Sequence, residues 1–318
     1  MTTDVQSFKM PPLVFGGNVF GWTADKKTSF RLLDALIDRG LNYIDSANVY
    51  SYWAEGNSGG ESETVLGEWM QARKNRDKVI IATKVGSPMG KGSPDLSIPY
   101  ITEQLDLSLK RLQTDYIDVY YSHKYDDSTP QHETLAVYRN AIKAGKVREI
   151  GASNFPLAIL REALKLAEEE NLPKYTFIQP EYNLMERDSF EGAYRDLCME
   201  NNLKVNSYFT LASGFLTGKY TDAADASGKE RERFVKKYFD ERGRAVLKAL
   251  KQTAKKHGVS QAGISIAWTM AQPGISAPIV SATSESQLKA FDEALKLQLD
   301  QEDLERLDAA SLEKKSTI

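Results

Sequence analysis

The chain has 318 residues, of which 41% are hydrophobic and 27% are charged, and its formal net charge is -3. This composition is ordinary for a soluble globular enzyme, and the charge gives no electrostatic reason to expect nucleic acid or an acidic membrane as partner. No apolar run approaches the roughly 20 residues that span a bilayer, and the N-terminal stretch lacks the apolar segment of a signal peptide. The single cysteine, Cys198, cannot form an internal disulfide and is interpreted as a small buried residue, so we expect a cytoplasmic location.

Short apolar runs alternate with amphipathic helical stretches along the chain. The predicted helices include Ser29–Arg39, Glu61–Arg73 and Leu157–Glu169; Gly40 follows the first, and Pro156 precedes the last. Most strand-to-strand spacings correspond to one βα unit of about 30 residues or more. The predicted strands begin near Leu13, Asn42, Val79, Tyr116, Val147, Thr176, Lys204 and Ser276.

Eight such units predict an α/β protein with a (β/α)8 TIM-barrel fold, built as one domain over residues 1–318. An open doubly wound sheet is the alternative. The glycines after the first strand read Gly16-Gly17-Asn18, however, and not the G-x-G-x-x-G of a dinucleotide-binding open sheet.

Two predicted loops are longer than usual, and we expect them at the C-terminal face of the barrel, where long loops are commonly functional. One is Ser51–Gly60, after the second strand, and the other runs from Phe209 to about Arg242. Most of the charged stretch Gly228–Lys237 within the second loop is expected to be a solvated helix face. The final segment, Gln301–Leu312, predicts one extra helix after the barrel.

Polar side chains follow successive predicted strands. Asp45 and Tyr50 follow the second strand, Lys84 the third and His123 the fourth. Ligands bind at the carboxyl ends of parallel strands, so these four side chains are candidates for one active site. Asp45 and Lys84 taken by themselves could be a structural ion pair; the ordered set favours catalysis.

The chemistry of the four residues fits proton transfer to a carbonyl oxygen. A tyrosine with a pKa near 10 is a poor acid at neutral pH, and an adjacent lysine ammonium stabilises the phenolate and lowers that pKa. A carboxylate keeps the buried lysine protonated and orients it, while a histidine can hold the substrate oxygen. This set can protonate a carbonyl oxygen while hydride reaches the carbon, or catalyse the reverse oxidation.

No metal site is predicted. The sequence has no HExxH or CxxC motif, and its histidines are His123, His132 and His257. The last two fall in helical stretches, and we expect both to be solvated.

At these positions the sequence resembles the aldo-keto reductase superfamily, whose fold is a (β/α)8 barrel. The resemblance extends from about Leu13 to Leu288 and rests on an ordered set of motifs. They read IDSANVY (Ile44–Tyr50), IATKVG (Ile81–Gly86), DVYYSH (Asp118–His123), GASNF (Gly151–Phe155), IQPEYNL (Ile178–Leu184) and SYFTLASGFLTGKY (Ser207–Tyr220).

The resemblance implies a role for each matched residue. Tyr50 would be the general acid/base, Lys84 and Asp45 would tune it, and His123 would orient the carbonyl. Ser153, Asn154 and Gln179 would hold the nicotinamide carboxamide, with Tyr208 stacked on the ring. The other implied cofactor contacts are Gly17, Asn18 and Asp45 near the nicotinamide, Thr210, Leu211, Ser213, Gly214 and Lys219 along the pyrophosphate and ribose, and Thr283 and Gln287 at the adenosine end.

The chain departs from the family pattern after the last strand, where many members carry basic residues for a 2′-phosphate. The stretch Ser281–Gln287 contains no Lys or Arg, and Ala290 and Phe291 replace a common Glu-Asn pair. A phosphate normally binds an arginine or a lysine, and Lys219 or Arg233 of the long loop could supply that charge. NADP(H) is therefore the expected cofactor, with NAD(H) as the rival.

Aromatic residues predict the lining of the substrate pocket. Phe20 and Trp22 follow the first strand, Tyr52 and Trp53 follow Tyr50, and Tyr125 follows His123. Aromatic side chains can pack against both sugars and aromatic rings, so these residues do not identify the substrate.

Three functions compete. The preferred one is an NAD(P)-dependent oxidoreductase that interconverts a small-molecule aldehyde or ketone with its alcohol, as a monomer or small homo-oligomer. The second is a nicotinamide-binding regulatory subunit, since the potassium-channel β-subunits also resemble this chain. The third, a metal-assisted barrel hydrolase, is disfavoured because metal-ligand spacing is missing.

Overall fold

The computed structural model describes residues 9–90, 92–220, 222–228 and 231–312. Eight parallel strands form one sheet in the order β7-β6-β5-β4-β3-β2-β1-β8. The strands are β1 (Val14–Gly16), β2 (Tyr43–Asp45), β3 (Ile80–Val85), β4 (Ile117–Ser122), β5 (Val147–Ser153), β6 (Phe177–Gln179), β7 (Lys204–Val205) and β8 (Ile279–Val280).

The strand order confirms the predicted α/β class and rules out the doubly wound alternative for the described chain. In a doubly wound sheet the order reverses near the middle, whereas here β1 to β7 are neighbours in sequence order and β8 pairs with β1. The two ends of this order also meet. The N–H of Ala277 donates to the carbonyl of Val205 at 3.2 Å, and the N–H of Ile279 donates to the carbonyl of Ser207 at 2.7 Å.

Helices connect the strands, and two of them, Glu61–Arg73 and Leu157–Glu169, have the predicted bounds. The first helix begins three residues earlier than predicted, because Asp25 caps it by accepting a hydrogen bond from the N–H of Thr28. The helices are α1 (Lys26–Ile37), α2 (Glu61–Arg73), α3 (Ile98–Leu112), α4 (Gln131–Lys143), α5 (Leu157–Glu169), α6 (Ala193–Glu200), α7 (Glu232–Val235), α8 (Glu241–His257), α9 (Gln261–Met270), α10 (Lys289–Lys296) and α11 (Gln301–Ser311).

Alternate residues of the strands face two separate cores, as expected when both faces of a sheet are covered. Phe15, Ile44 and Ile81 belong to the large apolar cluster between the sheet and the helices. The residues one position away point to the opposite face, where they form a smaller cluster. That inner cluster consists of Val14, Tyr43, Ile80, Ala82, Val119, Tyr121, Phe177, Ala277 and Ile279.

The two long connections lie where the sequence predicts them. Ser51–Gly60 is a series of turns, and the segment after β7 contains short helical turns, including Ala212–Thr217 and α7. Residues 229 and 230 of the predicted charged stretch lie outside the described residues. Cys198 is buried and unpaired, as expected. Across the described ranges, no helix is long and apolar enough to cross a membrane.

Candidate active site

The loop after β2 places Tyr50 beside Lys84, which is on β3. A backbone hydrogen bond ties this loop to β3: the N–H of Asn48 donates to the carbonyl of Lys84 at 3.1 Å. The other end of the insertion is fixed as well, because the N–H of Gly60 donates to the carbonyl of Tyr50 at 3.0 Å. The Ser51 hydroxyl donates to the carbonyl of Phe20 at 2.7 Å, which joins the insertion to the β1 loop.

Lys84 is fully buried, and its ammonium group makes three hydrogen bonds. The Nζ atom lies 2.6 Å from Oδ2 of Asp45, 2.9 Å from the carbonyl of Ser46 and 2.8 Å from the hydroxyl of Tyr50. An ammonium has three N–H donors, so these acceptors use all of them. The hydroxyl hydrogen of Tyr50 is thereby left to point away from Lys84.

Burial acts on the pKa of Tyr50 in the direction opposite to the effect that the sequence predicts for Lys84. Burial raises the pKa of Tyr50 well above 10.0, and the negative charge of Asp45 adds to this effect. Burial likewise lowers the pKa of Lys84, while Asp45 opposes that shift. The phenol is therefore protonated at neutral pH, with the Lys84 ammonium 2.8 Å from its oxygen.

Asp45 and Asn154 join the strand ends into one hydrogen-bonded group. Asp45 accepts on Oδ1 from Nε2 of Gln179 at 2.9 Å, which links β2 to β6. Asn154 accepts from the Tyr208 hydroxyl at 2.7 Å and donates to the carbonyl of His123 at 2.9 Å. Its left-handed backbone, with φ of 57°, directs this side chain across three strand ends.

His123 lies beside Tyr50, with their ring centroids 6.0 Å apart. Its buried Nδ1 has no hydrogen-bond partner in the part of the chain that the structure describes. Burial lowers the pKa of His123 well below 6.5, and the charges of Lys84 and Lys124 lower it further. The imidazole is therefore neutral at physiological pH.

A cleft of about 1180 Å³ runs from Tyr50 and His123 past the β7 segment to the start of α9. Most of the predicted site residues line this cleft. Those that line it are Asn18, Trp22, Asp45, Tyr50, Tyr52, Trp53, His123, Ser153, Asn154, Gln179, Tyr208, Thr210, Leu211, Ser213, Gly214, Lys219, Arg233 and Gln287.

Five predicted site residues do not line the cleft. Lys84 lies behind Tyr50, and Gly17 is buried against the carbonyl of Asp45. Phe20 is buried in the core against Phe15, because the β1 loop turns Trp22 toward the cleft in its place. Tyr125 packs on Phe155, and Thr283 bonds to Gln287 through its backbone N–H.

Several cleft residues were missed by the sequence reasoning. Lys124 and Lys289 line it, although the sequence predicts only the nearby His123, Tyr125 and Gln287. Ser87 lines it after β3, and its position three residues beyond Lys84 was a signal that could have found it. Gly258 and Ser260, just before α9, also line the cleft. No predicted strand ends near them, so the sequence contains no signal for these two residues.

The segment after β7, which lines the cleft, contains several residues with a left-handed backbone. Phe209, Ala212, Ser213 and Gly214 all have positive φ, between 45° and 97°. The segment closes this turn with its own backbone, because the N–H of Ala212 donates to the carbonyl of Phe209 at 2.6 Å and the N–H of Gly214 to that of Leu211 at 2.8 Å. The Nζ atom of Lys219 lies against Gly214, so a positive charge accompanies this turn.

No group of three or more His, Cys, Asp or Glu side chains that could hold a metal ion occurs within the described ranges. Of the two helical histidines, His132 is exposed. The expectation that His257 is simply solvated is wrong, because its Nε2 lies 2.6 Å from Oδ2 of the buried Asp303.

A family model described as Aldo/keto reductase family matches residues 12–312. The chain belongs to this family. The uncharacterized oxidoreductase YrpG of Bacillus subtilis is 34% identical over 306 residues, which cover 93% of this chain and 90% of the relative. The aldo-keto reductase YhdN of the same organism is 33% identical and covers 91% and 84%. A probable voltage-gated potassium channel subunit beta of Arabidopsis thaliana is 33% identical and covers 88% and 86%.

The depressed pKa of His123 generates a prediction for nuclear magnetic resonance. In a pH titration followed by imidazole nitrogen shifts, the His123 ring stays neutral well below pH 6.5, with its signals assigned by their loss in His123→Gln. The unfolded chain binds this proton near pH 6.5 and the folded chain does not, so stability falls as the pH drops below 6.5. A His123 signal that titrates at or above 6.5 would contradict the proposed burial.

Proposed function

We propose that this aldo-keto reductase family member interconverts an aldehyde or ketone with its alcohol, using a nicotinamide cofactor and Tyr50 as the general acid/base. The observation that carries the proposal is the bonding of Lys84, whose three donors are used by Asp45, Ser46 and Tyr50. The proposal includes a single-domain (β/α)8 barrel, and the hydrogen bonds between the β7 and β8 segments support its closure.

The cleft suits a nicotinamide dinucleotide. Its volume exceeds that of most small-molecule pockets, and its middle combines the positive-φ turn at residues 212–214 with Lys219. The positive charge of Lys219 suits a pyrophosphate. Tyr208 lines the cleft near the Tyr50 end, where its ring can stack on a nicotinamide, and Ser153, Asn154 and Gln179 supply polar groups beside it.

Proton transfer is assigned to Tyr50. A bound nicotinamide cofactor supplies the hydride to the carbonyl carbon or accepts it from the alcohol. The Tyr50 hydroxyl accepts a hydrogen bond from Lys84, so its own hydrogen is free to be donated to the carbonyl oxygen. The phenolate that then forms is stabilised by the ammonium group at 2.8 Å, and the same contact holds it in place for the reverse reaction.

His123 is assigned to orient the carbonyl. A neutral imidazole carries one N–H, and burial of Nδ1 without an acceptor disfavours a proton there. The proton then belongs on Nε2, which can donate to the carbonyl oxygen that Tyr50 protonates. Asn154 keeps the His123 backbone in position by its hydrogen bond to the carbonyl.

NADP(H) is proposed as the preferred cofactor, with NAD(H) possible. The support comes from cations that line the cleft: Lys219, Arg231 and Arg233 from the long segment, and Lys289 from the start of α10. Arg231 is half-buried with its guanidinium 5.7 Å from the Trp22 ring centroid, so the segment reaches across the cleft. Lys289 lies close to Gln287 and offers a positive charge at the end where residues 281–287 contain no Lys or Arg.

A regulatory role is the second candidate, supported by the likeness to a probable potassium channel subunit beta. The same cleft would then hold a cofactor with little turnover. The hydrogen bond from the buried Lys84 to the Tyr50 hydroxyl favours the enzyme, because it holds a proton donor in place at the cleft. The kinetic test below separates the two.

Tyr50→Phe is expected to lower turnover of an aromatic aldehyde by about 10²- to 10⁴-fold, the usual contribution of general acid catalysis. Cofactor binding, measured by fluorescence of the reduced nicotinamide, should change little, since the ring is retained. Tyr194→Phe removes a hydroxyl far from the cleft on α6 and should keep full activity. A Tyr50→Phe protein that retains most of its rate would refute the assignment.

Affinity for NADPH is expected to fall as salt rises, because the cations that line the cleft are partly open to water. The screening length shrinks from about 30 Å at 0.01 M to about 3 Å at 1 M. NADH lacks the 2′-phosphate, so its affinity should change less in the same fluorescence titration. The cofactor assignment fails if NADH binds as well as NADPH at low salt.

A further inference from the structure

The cations of the cleft fall into two groups according to the strand that carries them. Four of the five lysines and arginines that line the described cleft follow β7 or β8, namely Lys219, Arg231, Arg233 and Lys289. The fifth, Lys124, follows His123 at the end of β4. In the sheet order, β3, β2 and β1 separate β4 from β8, while β5 and β6 separate it from β7.

Lys124 therefore lies with the substrate residues and not with the proposed phosphate residues. It follows the residue assigned to the carbonyl oxygen, and consecutive Cα atoms are about 3.8 Å apart. Burial and the charge of Lys84 lower the pKa of His123, and the charge of Lys124 acts in the same direction.

Two carboxylates near Lys124 are committed elsewhere, and a third, Asp127, is exposed. Asp126 accepts from the N–H of Leu96, from Ser128 and from Thr129. Asp45, the carboxylate at this end of the cleft, pairs with Lys84 and Gln179. Among the residues that the structure describes, no carboxylate forms an ion pair with Lys124.

The aromatic residue expected after His123 does not take this place. Tyr125 packs on Phe155, so Lys124 is the side chain of the β4 loop that reaches the mouth of the pocket beside His123. Trp22 and Trp53 line the same cleft with their ring centroids 5.6 Å apart, and the Trp53 ring lies 5.9 Å from that of Tyr50. Aromatic side chains together with Lys124 beside His123 suit a substrate with an apolar body and one negative group.

We propose that Lys124 binds an anionic group of the substrate, so that the preferred substrates are aldehydes or ketones that carry a carboxylate or a similar anion. This inference rests on the oxidoreductase function proposed above. It adds a charge requirement to a pocket whose aromatic walls do not by themselves select a substrate. A lysine ammonium acts here as a mobile point charge on a flexible stem.

The test compares two aldehydes of the same shape, 4-carboxybenzaldehyde and 4-formylbenzamide. In the wild type, the ratio of kcat/KM for the anion to that for the amide should exceed one. The amide withdraws electrons more strongly from the ring, so intrinsic reactivity opposes this order. Lys124→Met should lower the ratio about two- to five-fold, the effect of an ion pair open to water, and Lys124→Arg should keep most of it.

Lys143→Met provides the matched control. Lys143 is exposed at the end of α4, so the variant makes the same change in net charge away from the cleft. It should leave the ratio and the activity unchanged. A ratio that does not move in Lys124→Met, or that moves equally in Lys143→Met, overturns the proposal.

A binding measurement distinguishes failure of this inference from failure of the proposed function. Trp22 and Trp53 line the cleft, so tryptophan fluorescence reports ligand binding without turnover. Tighter binding of 4-carboxybenzaldehyde than of the amide, weakened in Lys124→Met, supports the role of Lys124 whatever the turnover. Equal binding overturns it. If the wild type reduces neither aldehyde nor any other carbonyl tested, the proposed function fails by itself.

Discussion

The buried contact between Lys84 and Asp45 is the interaction on which the site depends. An ammonium group without solvent costs several kcal/mol, and only a close carboxylate with further hydrogen bonds offsets that cost. Here the Nζ–Oδ2 distance is 2.6 Å, and both partners are buried. Removing Asp45 would leave a buried charge without its counterion. The pair therefore holds the ends of β2 and β3 in a fixed relative position.

That geometry comes from the register of the parallel sheet. Asp45 pairs with Ala82 across β2 and β3, and this places Lys84 beyond the end of β2, where its side chain reaches the loop that carries Tyr50. Gln179, at the end of β6, donates a hydrogen bond to Asp45, and its register partner at the end of β5 is Ser153. Four strand ends thus support one proton donor, and the rigid scaffold keeps its hydroxyl in place.

Charge is distributed unevenly over the protein. The whole chain is slightly acidic, yet the described cleft is lined by five lysines and arginines and by two carboxylates, Asp45 and Glu293. Both carboxylates are engaged, since Glu293 accepts from the N–H and the hydroxyl of Ser260. The cleft therefore attracts anions, in keeping with the phosphates of a dinucleotide at one end and the proposed substrate anion at the other.

Much of this arrangement could be predicted from the sequence, because local patterns determine it. Apolar runs at regular spacing located all eight strands, and the polar residues that follow them located Asp45, Tyr50, Lys84 and His123. Features that depend on the path of a loop could not be predicted. Whether Phe20 or Trp22 faces the cleft depends on the turn after β1, and Lys289 reaches the cleft only through the placement of α10. The raised pKa of Tyr50 required its burial, which the sequence does not show.

The most direct test of the account is the fate of hydrogen during turnover. Purified protein is mixed with an aromatic aldehyde and with NADPH that carries deuterium at the transferable position, and the product is analysed by mass spectrometry. The account predicts that nicotinamide absorbance falls and that the alcohol carries one deuterium on its carbinol carbon, while the hydroxyl proton comes from the enzyme and water. Cofactor that binds without being oxidised, or an alcohol without the label, would contradict it.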